Sequence, residues 1–95
     1  MSGRVFECDS AKGARKFRVH GGTFDLGVGA FRDPFAIEMI DEREDYGEER
    51  INLIGMCEGM ILHVTYTERD ERIRIISARR AEKHEQDDYY RENAI

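Results

Sequence analysis

Residues 68–81 read ERDERIRIISARRA and carry Arg69, Arg72, Arg74, Arg79 and Arg80. A guanidinium stays charged at any cellular pH and presents forked donors that match the oxygens of a phosphate, so converging arginines here make a phosphodiester clamp. Residues 72–78 alternate as a strand. Arg72, Arg74, Ile76 and Ala78 are expected on one face, with Ile73, Ile75, Ser77 and, if the strand continues, Arg79 on the other. Ile73 and Ile75 then meet the core. Arg74 stands on the open face, with Arg79 and Arg80 at its rim where a final helix begins. The ordinary alternative is a solvated face salt-bridged to Glu68, Glu71 and Glu82.

Other reactive side chains are scattered. His63 shares a strand face with Ile61 and Thr65, which suits either a hydrogen-bonded core residue or a proton-transfer group. His20 falls at an expected helix C-terminus, where the dipole favours it, and His84 on a charged final helix. Glu49 and Arg50 lead into a strand, within reach of the arginine surface as an ion pair or a proton-transfer group. No Ser-His-Asp order, metal-ligand spacing, phosphate-binding loop or dinucleotide fingerprint occurs, so no metal or cofactor is expected. RNA cleavage stays open, because the ribose 2′-OH is a nucleophile that the substrate brings itself.

The elements that must position these groups follow from periodicity. Residues 4–7 read as a brief edge strand, and Ala11, Ala14 and Phe17 as a helix stopped by Gly21-Gly22. Thr23 opens a second helix, weakened by Gly27 and Gly29 and ended by Asp33-Pro34. From Phe35 the period becomes two, with Phe35, Ile37 and Met39 opposed to Ala36, Glu38 and Ile40. Strands over 51–56, 60–67 and 72–78 follow, joined by short links that make antiparallel hairpins. A helix from residue 77 or 78 to about 92 ends the chain. The order β-α-α-β-β-β-β-α predicts one α+β domain over residues 1–95, two-layered, with a mainly antiparallel sheet.

Composition fits a small folded domain. The 95 residues are 40% hydrophobic and 37% charged, enough apolar content for one modest core. No apolar run reaches membrane-spanning length and the first nine residues lack a signal core, so a cytoplasmic protein without membrane contact is expected. Cys8 and Cys57 are the only cysteines and suggest neither a disulfide framework nor a zinc site. A net charge of −5 argues against binding nucleic acid by bulk charge. The charge is segregated, however. Residues 32–49 hold eight acidic and two basic residues, and residues 69–83 hold six basic and three acidic, which suits two different partners.

Read together, FECD near the start, HGGTF, FRDP, DYGEER, TERDERIRIISARRA and an E-x-x-x-Y ending at Glu85 and Tyr89 resemble the BrnT family of bacterial toxins. The resemblance implies a RelE-like fold and metal-independent RNA cleavage that blocks translation. It further implies neutralisation by a BrnA-type antitoxin in a heterotetramer of two toxins and two antitoxins, which reaches operator DNA only through the antitoxin. The family's arginine pattern falls on Arg50, Arg69, Arg74, Arg79 and Arg80, with Glu49, Ser77 and Glu85 also matching. Arg74, Arg79 and Arg80 are assigned to the scissile phosphate, with Arg50 and Arg69 extending the RNA surface. Glu49 and His63 are the proton-transfer candidates. Cys8 and Glu44 depart from the family's usual tryptophan and histidine.

Overall fold

The computed structural model describes residues 5–8, 23–41 and 49–94. The helix expected around residues 11–20, with His20, and the acidic loop from Glu42 to Glu48 lie outside the described residues. In chain order the elements are β1 (Val5–Cys8), α1 (Thr23–Ala30), β2 (Ile37–Ile40), β3 (Ile51–Cys57), β4 (Met60–Arg69), β5 (Arg72–Arg80) and α2 (Lys83–Glu92).

The β-branched and aromatic runs after residue 50 form the strands the alternation predicts, and two-residue turns join them. Glu58 and Gly59 take φ of 52° and 78°, and Asp70 and Glu71 take 53° and 64°. A left-handed φ at both central residues matches the right-handed twist of the flanking strands. The sheet order is β1-β5-β4-β3-β2; all neighbours are antiparallel except β1, which runs parallel to β5.

One irregularity sets the geometry of everything that follows. Thr65 pairs with Ser77, but Tyr66 pairs with Ile75, so β5 carries one extra residue, Ile76, at a β-bulge. A bulge places two residues opposite one and reverses the alternation beyond it. Ile73, Ile75 and Ala78 therefore face one side, while Arg74, Ser77 and Arg79 face the other. Strict alternation put Ser77 and Arg79 with the isoleucines and Ala78 with Arg74; the bulge overturns that assignment.

The first face holds the larger core of Leu53, Leu62, Val64, Tyr66, Ile73, Ile75 and Ala78, closed by Ala30 of α1 and by Phe6 and Phe31. Phe31 stacks edge-on against both Phe6 and Tyr66, at centroid distances of 5.0 and 4.7 Å. On the opposite face, Ile54 and Ile61 pack with Ala81 and Tyr89, which brings α2 over part of that side. The two described helices thus cover opposite faces, where a two-layer arrangement was expected.

The final helix also starts later than its composition suggests. Leu62 and His63 pair with Arg80 and Arg79, and the Ala81 N–H donates to the Ile61 carbonyl at 2.9 Å. These ladder bonds hold residues 77–80 in the strand against the helix propensity of Ala-Arg-Arg-Ala. Arg79 and Arg80 consequently end a strand and do not begin a helix.

Candidate RNA-facing site

Arg79 is held by a buried carboxylate. Its two terminal nitrogens each donate to one oxygen of Glu85 at 2.9 Å, a forked pair. Nη1 also reaches the Arg80 carbonyl at 3.1 Å. Glu85 sits in the first turn of α2, where its Oε1 accepts the Glu82 N–H at 2.7 Å and so caps the helix. His63, beside Arg79 in the register, brings Nε2 to 3.6 Å from Glu85 Oε2. Burial raises the Glu85 pKa, but the bonds from Arg79 and Glu82 and the charges of His63 and Arg79 outweigh it and hold the carboxyl down at about 2. Glu85 is therefore a carboxylate at any physiological pH. Arg79 keeps 47% of its side chain exposed, while Glu85 shows 11%.

These residues line one groove of about 270 Å³ between the sheet and α2. Met39, Asn52 and Ile54 form its sheet side with His63 and Arg79, and His84, Glu85 and Asp88 its helix side. Thr65 donates to Asn52 Oδ1 at 2.8 Å, which fixes the floor next to Ser77. The groove can hold an anion against Arg79 with two imidazoles nearby.

The other arginines divide between places. Arg74 shares the face of Arg79, but four pairing steps separate them, a span of about 13 Å. Glu7 of β1 holds Arg74 through Nε at 2.9 Å and Nη2 at 2.8 Å, and lies 3.6 Å from Arg72 Nη1. Arg69 pairs with Arg72 at the exposed hairpin end. Arg50 precedes β3 by one residue and continues the register opposite Thr67, whose hydroxyl donates to the Glu49 carbonyl at 2.8 Å. Arg50, Arg69, Arg72 and Arg74 thus gather at one end of the face and Arg79 at the other. Arg80 leaves the backbone on the opposite side from Arg79. Its Nη2 lies 3.0 Å from Met60 Sδ, and it lines a separate groove with Gln86 and Tyr90. The expected convergence of Arg74, Arg79 and Arg80 on one point is replaced by Arg79 in the groove, Arg74 further along the same face and Arg80 at the rim.

Of the proton-transfer candidates, the structure brings His63 to Arg79 and keeps Glu49 away. Glu49 is exposed five residues before Ile54, the β3 partner of His63, about 16 Å along the strand. The sequence reading noted Glu85 only as a match to the family pattern and His84 only as part of a charged helix; it missed Glu85 as the anchor of Arg79 and His84 as an imidazole of the groove. The capping-box position of Glu85 was the available signal for the first.

Glu82, His84 and Glu85 offer ligand atoms within 4.8 Å of one another. Both Glu85 oxygens are already engaged by Arg79, and Oε1 also by the Glu82 N–H, so this cluster is built for an ion pair and is poorly suited to a cation.

The far end of α2 is tied down by a second carboxylate. Asp33 accepts the Phe35 N–H at 2.9 Å, the Met56 N–H at 2.8 Å and the Tyr89 hydroxyl. Burial works against its charge, but these three bonds prevail and lower its pKa. The Tyr89 hydroxyl is pushed up to about 12 by burial and by its bond to the Asp33 carboxylate.

The profile of a family described as "Ribonuclease toxin, BrnT, of type II toxin-antitoxin system" matches residues 8–85, 78 of the 95. The chain belongs to the BrnT family. No curated protein matches it. Membership makes it a ribonuclease toxin of a type II toxin–antitoxin system, and such a system includes an antitoxin partner. Within this BrnT chain, blocks far apart in sequence meet through the final helix: Glu85 joins the ISARR strand, and Tyr89 joins the FRDP corner. Among the described residues no helix is long and apolar enough to cross a membrane.

Proposed function

We propose that this chain is a cytoplasmic, RelE-like endoribonuclease toxin that cuts RNA without a metal ion, using the 2′-OH of the substrate as nucleophile. The observation that supports it is the bulge at Ile76, which puts Arg74, Ser77 and Arg79 on one face and sets Arg79 beside His63. In this reading the 2′-OH loses its proton as its oxygen bonds to phosphorus. The bond from phosphorus to the 5′-oxygen breaks, and that oxygen takes up a proton. The products carry a 2′,3′-cyclic phosphate and a 5′-OH. Arg79 holds the scissile phosphate and stabilises its growing charge, and Arg74, Arg50 and Arg69 carry the flanking phosphates. His63 and the exposed His84 are the nearest groups able to move protons. A BrnA-type antitoxin, in a complex of two toxins and two antitoxins, covers this surface and supplies the contact to operator DNA.

Expression of the chain without an antitoxin should arrest growth and yield RNA fragments ending in cyclic phosphate, with cleavage by the purified protein persisting in EDTA. Arg79→Lys combined with Arg80→Ala keeps a cation beside the buried Glu85, so it should relieve the arrest while the protein stays folded. Normal growth and intact RNA at good expression would sink the proposal. A second reading, a non-catalytic module that binds antitoxin or RNA, draws support from the burial of His63, which is only 9% exposed. It predicts RNA binding with no fragments even at excess protein.

A further inference from the structure

Glu85 lies where two roles compete. Its carboxylate fills the fork of Arg79 as a phosphate would, so it can act as a placeholder that RNA displaces, or as a fixed support that aims the guanidinium. The geometry favours the support. Glu85 is 8% exposed and belongs to the first turn of α2. Its oxygens accept two bonds from Arg79 and one from the Glu82 N–H, and His63 stands 3.6 Å away. Displacing it would break the forked pair and the helix cap and leave a buried carboxylate uncompensated, which is far more costly than removing a surface ion pair. The helix that carries Glu85 is itself anchored at Tyr89 and at Asn93, whose side chain donates to the Phe35 carbonyl at 2.9 Å. Arg79, by contrast, keeps about half its side chain open to the groove.

We infer that Glu85 is a positioning residue: it locks the Arg79 guanidinium in one orientation so that its outward side meets the scissile phosphate. The inference rests on the ribonuclease reading above. Glu85 touches no substrate. Its contribution is to the turnover step, because a misdirected guanidinium still attracts RNA but does not meet the charge that develops in the transition state.

The test uses the full chain, a short RNA and ¹⁵N NMR of arginine side chains. In the wild type, rotation of the Arg79 guanidinium should be hindered, with separate signals for its terminal nitrogens; in Glu85→Gln these should average. Glu85→Gln keeps an oxygen for the Glu82 N–H, so the fold should persist by circular dichroism. Its kcat should fall about 10- to 100-fold with KM changed less than about 3-fold. Arg79→Lys, whose ammonium cannot fork, should give a similar kcat loss, and the double variant should lose little more than either single one. Unchanged kcat in Glu85→Gln, or losses that multiply in the double variant, would overturn the inference. Should Glu85→Gln fail to fold, wild-type kcat in Arg79→Lys would overturn it equally. An inactive wild type with a hindered Arg79 removes the ribonuclease reading and leaves the fixed fork standing. An active wild type with a freely rotating Arg79 does the reverse.

Discussion

Tyr89 donates its hydroxyl to Asp33 Oδ2, the same oxygen that accepts the Met56 N–H. One carboxylate thereby ties the corner after α1, the end of β3 beyond its pairing with β2, and the last turns of α2. A hydrogen bond to a charged acceptor contributes about 1.5–3 kcal/mol. Tyr89→Phe keeps the ring against Ile54 and Ile61 and removes only that bond, so it should destabilise by about 1–2 kcal/mol in urea titrations. Asp33→Ala abandons three donors and should cost more, about 2–4 kcal/mol. Equal effects of the two would show that Asp33 does not organise the corner.

Acid should weaken the fold through the same carboxylates. Glu85 titrates at about 2 in the folded chain against an ordinary 4.5, and Asp33 is lowered too. A depressed carboxyl pKa contributes stability that is fully present above the unfolded value and is lost as pH falls through the folded one. Between pH 6 and pH 3 Glu85 alone should account for a loss of up to roughly 2 kcal/mol. Glu85→Gln should show a visibly flatter decline over that interval. Parallel curves for the two proteins would mean that Glu85 is not held charged by Arg79.

The turn between β4 and β5 stores strain. Asp70 and Glu71 both have left-handed φ, at 53° and 64°, and neither is a glycine. For a residue with a Cβ this region costs roughly 1 kcal/mol. Glu71→Gly creates the Asp-Gly pair that such two-residue turns favour, and should raise stability by about 0.5–1 kcal/mol. A loss in thermal midpoint would indicate that the Glu71 side chain matters more than its backbone.

Most of the sheet was legible because β-favouring runs over residues 35–40, 51–56 and 60–67 are separated by turn residues, and Ile73 and Ile75 declared the core face of β5. Burial was less legible, since Ile61 to Thr67 are buried on both faces while Phe35, Met39 and Ile40 are exposed. The bulge was not legible. Ile76 is apolar and fits either face, so nothing in the composition marks where the alternation reverses, and Arg79 was assigned to the wrong side. The glycines of α1 were read only as a weakness of the helix. Their service is close approach: a Cβ at Gly27 would lie 3.3 Å from that of Ala78, and one at Gly29 only 2.3 Å from Cys57 Sγ. The role of Glu85 was hidden for a related reason. Its partner lies six residues back across a strand-to-helix corner, a separation with no periodic signature, whereas Lys83 and Asp87 at i and i+4 show theirs.

Arg74 offers the sharpest separation between a structural and an RNA-facing role. Glu7 takes two bonds from it and lies near Arg72, on a side chain only 25% exposed. If this end of the face carries flanking phosphates, Glu7 competes with RNA for both arginines. Glu7→Gln should then tighten binding of a short single-stranded RNA about 2- to 5-fold at low salt. It should also make the slope of log K against log salt more negative by about 0.7, one phosphate's worth for a single strand. Arg74→Ala should move the slope by a similar amount in the other direction. Neither change should alter stability by more than about 1 kcal/mol, since the pair is partly solvated and sits at the sheet edge. Identical slopes in all three proteins would assign Arg74 to holding β1 against β5 and confine the RNA contact to the groove at Arg79.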